Sequence, residues 1–241
     1  KNRLVCGDML CILAKDLRDM SINKHIPNIV TLGNLFCGTL AAIFAVGGHF
    51  EMTALFVVLG VFLDFFDGFF ARVLKVSGEL GKQLDSLADM VTSGVVPGIV
   101  LFILLGNNQQ FPYDIHAEFK ISMGLPLIGL LVTLSACYRL AKFNLDTRQS
   151  ESFIGLPTPA MSLFIVSLPL VQMHSDVDFV KDLIGNNYFL IGIAILFSFL
   201  MNSELSLFSL KFKNYGIKEN LFKYILITLS IVLIVAFEYL S

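Results

Sequence analysis

Four aspartates in two neighbouring apolar stretches are the side chains here with the clearest capacity for chemistry. Asp64 and Asp67 stand three residues apart, and Asp85 and Asp89 four apart. On helices, those spacings put each pair on one face. A carboxylate at the centre of a membrane helix costs about 2.5–3.5 kcal/mol on insertion scales, so four unpaired ones would cost on the order of 10 kcal/mol. Something cationic must meet them. An all-oxygen donor set, with no His or thiolate, suits Mg²⁺ or Mn²⁺ rather than zinc. Asp64, Asp67, Asp85 and Asp89 are therefore the expected metal ligands, and their four negative charges match two divalent ions.

The neighbouring positions are small or basic. Gly68 and Ala71 continue the stripe of Asp64 and Asp67, Gly81 lies one turn before Asp85, and Thr92 and Ser93 extend the face beyond Asp89. Small residues in membrane helices also serve close packing. Two aligned acidic pairs with Gly, Ala and Arg inside 26 residues ask for more than packing. Small side chains would let a ligand reach the ions, and Arg72 can grip a phosphate with two parallel hydrogen bonds. The combination predicts a site for a phosphorylated substrate.

The elements that position these residues must be membrane helices. Of 241 residues, 56% are hydrophobic and only 15% charged, and mean hydropathy is +0.77. Soluble domains carry about 25% charged residues, and disordered chains lack this much apolar content. A net charge of −2 offers no basic field for nucleic acid. Cys6, Cys11, Cys37 and Cys137 show no paired spacing, so they read as buried free thiols rather than zinc ligands or a disulfide framework.

Seven apolar blocks can be marked, at Pro27–Val46, Met52–Leu74, Leu84–Leu105, Ile121–Tyr138, Pro157–Met173, Tyr188–Met201 and Leu221–Leu240. The sixth is short, and is expected to run on through Asn202-Ser203-Glu204 or to bend there. With the N-terminus cytoplasmic, the inside segments 1–26, 72–83, 139–156 and 211–223 hold fifteen of the seventeen Lys and Arg residues. That is the positive-inside pattern. All six tyrosines fall near span ends or in loops, as interfacial aromatics do. The expected fold is all-α, a polytopic membrane bundle of about six to seven transmembrane helices with a cytoplasmic N-terminus. Residues 1–19 are expected to be an N-terminal extension or an interfacial amphipathic segment, and 20–241 the membrane domain.

The pattern Asp64-x2-Asp67-Gly68-x2-Ala71-Arg72-x8-Gly81-x3-Asp85-x3-Asp89 resembles the signature of the CDP-alcohol phosphotransferase family at every position. The resemblance extends over about residues 25–215. Ile26-Pro27-Asn28-Ile29-Val30-Thr31-Leu32-Gly33-Asn34, Ser93-Gly94-Val95-Val96-Pro97, Arg139-Leu140-Ala141-Lys142-Phe143-Asn144 and Phe153-Ile154-Gly155-Leu156-Pro157-Thr158-Pro159-Ala160 look like the branch that uses CDP-diacylglycerol and L-serine. Lys142 stands where many relatives would carry Arg, which keeps the charge but loses the fork.

The resemblance implies an integral membrane transferase of phospholipid biosynthesis, giving phosphatidylserine and CMP. Glycerol phosphate, an inositol compound or choline are the alternative acceptors. It further implies a homodimer among membrane lipids, in the cell (inner) membrane, with the active site facing the cytoplasm. By the same carry-over Asp89 is the catalytic base, and Gly68, Ala71 and Arg72 line the cytidine and phosphate site. Asn28 and Thr31, at the start of the first span, would touch the nucleotide or cap and join helices. Lys82, Arg139 and Lys142 would meet phosphate or the serine carboxylate, or serve as positive-inside anchors. The four His, at 25, 49, 116 and 174, are scattered and support no catalytic dyad. A transporter is disfavoured, because such proteins place carboxylates near the midplane within internal repeats, whereas this acidic cluster sits at one face.

Overall fold

The computed structural model describes residues 25–74, 76, 78–106, 124–145 and 155–204. These residues form helices, with no strand among them. The helices are α1 (Ile26–Val46), α2 (Phe50–Val73), α3 (Glu79–Asp89), α4 (Val96–Gly106), α5 (Leu131–Leu145), α6 (Thr158–His174), α7 (Asp178–Gly185) and α8 (Asn187–Asn202). A π-helical turn, Met90–Val95, joins α3 to α4, and a 3-10 turn, Pro126–Leu130, leads into α5. α1, α2, the continuous rod Glu79–Gly106 and the rod Pro126–Leu145 are each long and apolar enough to cross a membrane. The bent pair α7 and α8 is a fifth candidate, and α6 is a shorter apolar helix of 17 residues. The protein is an integral membrane protein.

α3 to α4 is the central rod. Val96, Val100 and Leu101 are fully buried, and the rod packs against α1, α5 and α6. Large apolar residues on the other helices, such as Phe36, Phe62, Phe65 and Leu134, point outward, as lipid-facing side chains should. Glycine permits the close approaches. A Cβ at Gly129 would lie 2.8 Å from the backbone nitrogen of Phe102 and 2.9 Å from the carbonyl carbon of Leu101. Backbone cannot swing aside as a side-chain tip can. Gly129→Ala is therefore expected to cost about 1–3 kcal/mol, read as an earlier thermal unfolding midpoint of the detergent-solubilised protein; an unchanged midpoint would contradict this packing.

The π turn gives up regular hydrogen bonding, and its neighbours restore partners. Thr133 Oγ1 donates to the carbonyl of Gly94 at 2.9 Å, and Ser162 Oγ to that of Thr92 at 3.4 Å. At the start of α6, Gly155 takes φ +75°, where a side chain would also run into the carbonyl of Met201. Leu156 N donates to Leu200 O at 3.1 Å. This tie fixes the α6 N-terminus against the end of α8.

Several expected boundaries move. The fourth span does not end at Tyr138. α5 continues to Leu145, so Arg139 lies inside a helix at 8% exposure rather than in a loop. The sixth block ends at Asn202 without running on, and the bend, 68°, sits at its other end, around Asn186. There the Asn186 side chain accepts from Tyr188 N at 2.8 Å and starts a new helix. Cys37 is buried as expected, but Cys137 is exposed on the outer face of α5. The last block, Leu221–Leu240, and residues 1–19 lie outside the described residues.

Candidate active site

The site forms where α2 and α3 come together beside the start of α1. Phe50–Val73 is a single helix, so Asp64, Asp67, Gly68 and Ala71 share one face of it. α3 presents Asp85 to that face. Carboxylate oxygens of Asp64, Asp67 and Asp85 all lie within 4.8 Å of one another. Asp67 is 6% exposed and the other two are half-buried. Three like charges this close repel strongly in a low-dielectric setting. Among the described residues no Lys or Arg forms an ion pair with them. The trio of hard oxygen donors, with no ion-pair partner among the described residues, fits a divalent metal ion.

Asp89, one turn beyond Asp85, stands beside this trio rather than within it. Its Oδ1 accepts a hydrogen bond from Asn34 Nδ2 at 3.3 Å, while its charge acts on Asp64 and feels Arg139. Thr31 Oγ1 lies 2.5 Å from Asp67 Oδ2 and 3.0 Å from the carbonyl of Pro27. The first contact ties α1 to the acidic face of α2.

A cavity of about 580 Å³ opens against Asp67 and Asp85. Small-molecule sites span roughly 300–1,000 Å³. Gly68, Ala71 and Gly81 give it a floor of little bulk, and Asn28, Thr31 and Lys82 add polar groups to its wall. Gly81 is closely matched to Asn28, since a Cβ there would lie 3.3 Å from Asn28 Oδ1. His25 also reaches the wall, with no second His nearby on it.

The basic residues divide. Lys82 reaches the cavity and donates to Asn144 O at 2.8 Å. Arg72 is exposed, off the cavity wall, and folded onto its own helix, with Nε donating to Gly68 O at 2.8 Å. Arg139 is buried, its Nη1 3.5 Å from Thr158 Oγ1, and it attracts Asp89. Lys142 pairs with Glu204 at 3.6 Å. Neither Arg139 nor Lys142 lines the cavity. Thr92 and Ser93 are fully buried in the π turn, so they pack between helices instead of extending the open floor.

Two polar residues with no part in the expected site stand out. Asn34 is fully buried between Asp89 and Thr92. Its signal was available, because Asn28, Thr31 and Asn34 repeat every three residues along an otherwise apolar helix. Asn144 joins α5 to α3, donating from Nδ2 to Ser86 Oγ at 2.8 Å; nothing in its spacing announces that contact.

Comparison with known proteins bears on this geometry. The family model described as CDP-alcohol phosphatidyltransferase matches residues 24–208. A protein of Bacillus subtilis named CDP-diacylglycerol–serine O-phosphatidyltransferase is 36% identical over 149 residues, 60% of this chain and 75% of its own. One of the same name from Helicobacter pylori (strain J99) is 32% identical over 218 residues, covering 89% of this chain and 84% of its own. An archaetidylserine synthase of Methanothermobacter thermautotrophicus is 28% identical over 166 residues, covering 66% and 65%.

Proposed function

We propose, since this chain belongs to the CDP-alcohol phosphatidyltransferase family, that it transfers the phosphatidyl group of CDP-diacylglycerol to the hydroxyl of L-serine. The products are phosphatidylserine and CMP. The observation that carries the chemistry is the trio of carboxylates within 4.8 Å of one another, two of which, Asp67 and Asp85, line a small-residue cavity. The serine acceptor is supported by the names of the two bacterial relatives.

Asp64, Asp67 and Asp85 would hold Mg²⁺ or Mn²⁺, two ions by charge count, with Asp89 at the edge. Bound there, divalent ions would offset the charge of the bridging phosphates and stabilise CMP as it leaves. The remaining work falls to the chain. Gly68 and Ala71 leave room for cytidine and phosphate, and Asn28 and Thr31 face the nucleotide. Arg72 joins them by releasing its own helix carbonyl. Asp89 takes the serine hydroxyl proton as that oxygen attacks the β-phosphorus and the bond to the CMP oxygen breaks. Lys82, Arg139 and Lys142 supply positive charge for phosphate or for the serine carboxylate. Lys82 is the one of the three on the cavity wall, whereas buried Arg139 acts on Asp89 from behind it.

The wider setting belongs to the same reading. On this reading residues 20–241 are the membrane domain, with six to seven spans. Sorting of fifteen of the seventeen cations to one side supports a cytoplasmic N-terminus and a site facing the cytoplasm, in the cell (inner) membrane. The chain works as a homodimer among its membrane lipids, checked by the mass of the detergent-solubilised protein.

The test is an acceptor panel. CMP release from CDP-diacylglycerol is expected to need divalent metal and L-serine together. Equal or greater release with glycerol phosphate, an inositol compound or choline would reassign the acceptor, and full-rate release with no acceptor would overturn the transferase reading.

A further inference from the structure

We propose that Thr92 and Asn34 form a hydrogen-bond relay that fixes the orientation of the Asp89 carboxylate, which makes both positioning residues for the transfer step. The inference rests on the reading of Asp89 as the base. Thr92 Oγ1 donates to Asn34 Oδ1 at 2.8 Å, and Asn34 Nδ2 donates to Asp89 Oδ1 at 3.3 Å. Thr92 and Asn34 are both fully buried.

The direction of the relay follows from donor inventory. An ionised carboxylate only accepts, so the amide must turn its NH₂ group to Asp89. The amide oxygen then needs a donor on its far side, and the Thr92 hydroxyl supplies it. Without that hydroxyl the buried amide has no group holding it in this sense. With Oδ1 of Asp89 engaged, Oδ2 is the oxygen left to take a proton.

The surroundings close tightly on the relay, in which Thr92 Oγ1 also lies 3.2 Å from the Asn34 backbone carbonyl but nearer the side-chain oxygen. A Cβ at Gly38, one turn along α1 from Asn34, would run into Thr92 Oγ1 and lie 3.0 Å from the Thr92 Cα and backbone nitrogen. A Cβ at Gly60, on α2, would lie 2.8 Å from both Asn34 Oδ1 and Thr92 Cγ2. Two glycines on two helices thus close on the same pair of side chains. The third wall is the π turn that begins at Met90, directly after Asp89. Such turns re-aim side chains within a helix and recur at functional sites. Thr92 is held in it from behind by Ser162.

The experiment compares Thr92→Val, which keeps shape but loses the hydroxyl, with Thr92→Ser, which keeps the hydroxyl, in the full chain. Thr92→Val is expected to lower kcat about tenfold or more, with KM for CDP-diacylglycerol and Mn²⁺-dependent CDP-lipid binding near wild type and an unfolding midpoint lowered by only a few degrees, the cost of one buried acceptor left without its donor. Thr92→Ser should recover kcat to within about threefold. In an Asp89→Asn background, Thr92→Val should add no further loss. An unchanged kcat in Thr92→Val, an equal fall in Thr92→Ser, or an additive loss in the Asp89→Asn background would overturn the relay. If Thr92→Val fails to accumulate in membranes, Thr92→Ala removes the same hydroxyl without adding bulk and is read by the same outcomes. Near-normal turnover in Asp89→Asn alone would instead remove the base assignment, and the relay with it.

Discussion

Asp89→Asn is expected to retain metal-dependent binding of CDP-diacylglycerol while losing phosphatidyl transfer by about 10²–10⁴-fold, the range that general-base catalysis contributes. The substitution is nearly isosteric. Its remaining carbonyl oxygen can still accept from Asn34, which donates to Asp89 Oδ1 at 3.3 Å, so the local structure should survive. The trio Asp64, Asp67 and Asp85 is untouched, and binding of the CDP moiety should survive with it. What disappears is the proposed acceptor for the serine proton. Single-turnover CMP release, measured beside equilibrium binding of the CDP-lipid, separates the two. Near-normal turnover would show that the proton goes elsewhere.

Asp67→Asn should fail differently. Asp67 is the most buried member of the trio, at 6% exposure, and Thr31 holds its Oδ2. Removing its charge takes away a ligand at the centre of the proposed metal site, so CDP-lipid binding and transfer should fall together, transfer by about 10²-fold or more. Stability gives a second readout with the opposite sign. Without metal, three close carboxylates repel, and neutralising one should raise the unfolding midpoint. A ligand that binds only the folded state stabilises it by mass action, so Mn²⁺ should raise the midpoint of the wild type and much less that of Asp67→Asn. Equal Mn²⁺-dependent shifts in both proteins would contradict a site built on Asp67.

These two variants differ because the aspartates, alike in the sequence, sit in different surroundings. Spacing placed each acidic pair on one helix face, and the α2 and α3 faces do meet. What spacing could not convey is that Asp89 leaves the trio to meet Asn34 on α1. That pairing depends on how two helices register against each other over 55 residues of chain. The π turn was illegible for a related reason: hydropathy in Met90–Val95 is compatible with either helical period, and the hydroxyls that meet its carbonyls, Thr133 and Ser162, come from other helices. Thr92 and Ser93, read as more open floor, are instead among the most buried polar residues.

The membrane rods themselves were legible, since continuous apolar runs leave few options in lipid. Their ends were less so where charge enters a helix. Arg139 reads as a loop residue by hydropathy, yet α5 carries it inward because Asp89 and Thr158 await it. The bend at Asn186 was displaced for a different reason. Its cap is an asparagine side chain, a local signal weaker than the apolar run that surrounds it.

Crystals of the full chain grown with Mn²⁺ and a CDP-lipid, measured at the manganese absorption edge, would locate the ions directly. An anomalous peak within coordination distance of Asp64, Asp67 and Asp85, absent from Asp67→Asn crystals, is the predicted result. Manganese bound elsewhere, with that acidic face closed by a basic side chain, would contradict the account.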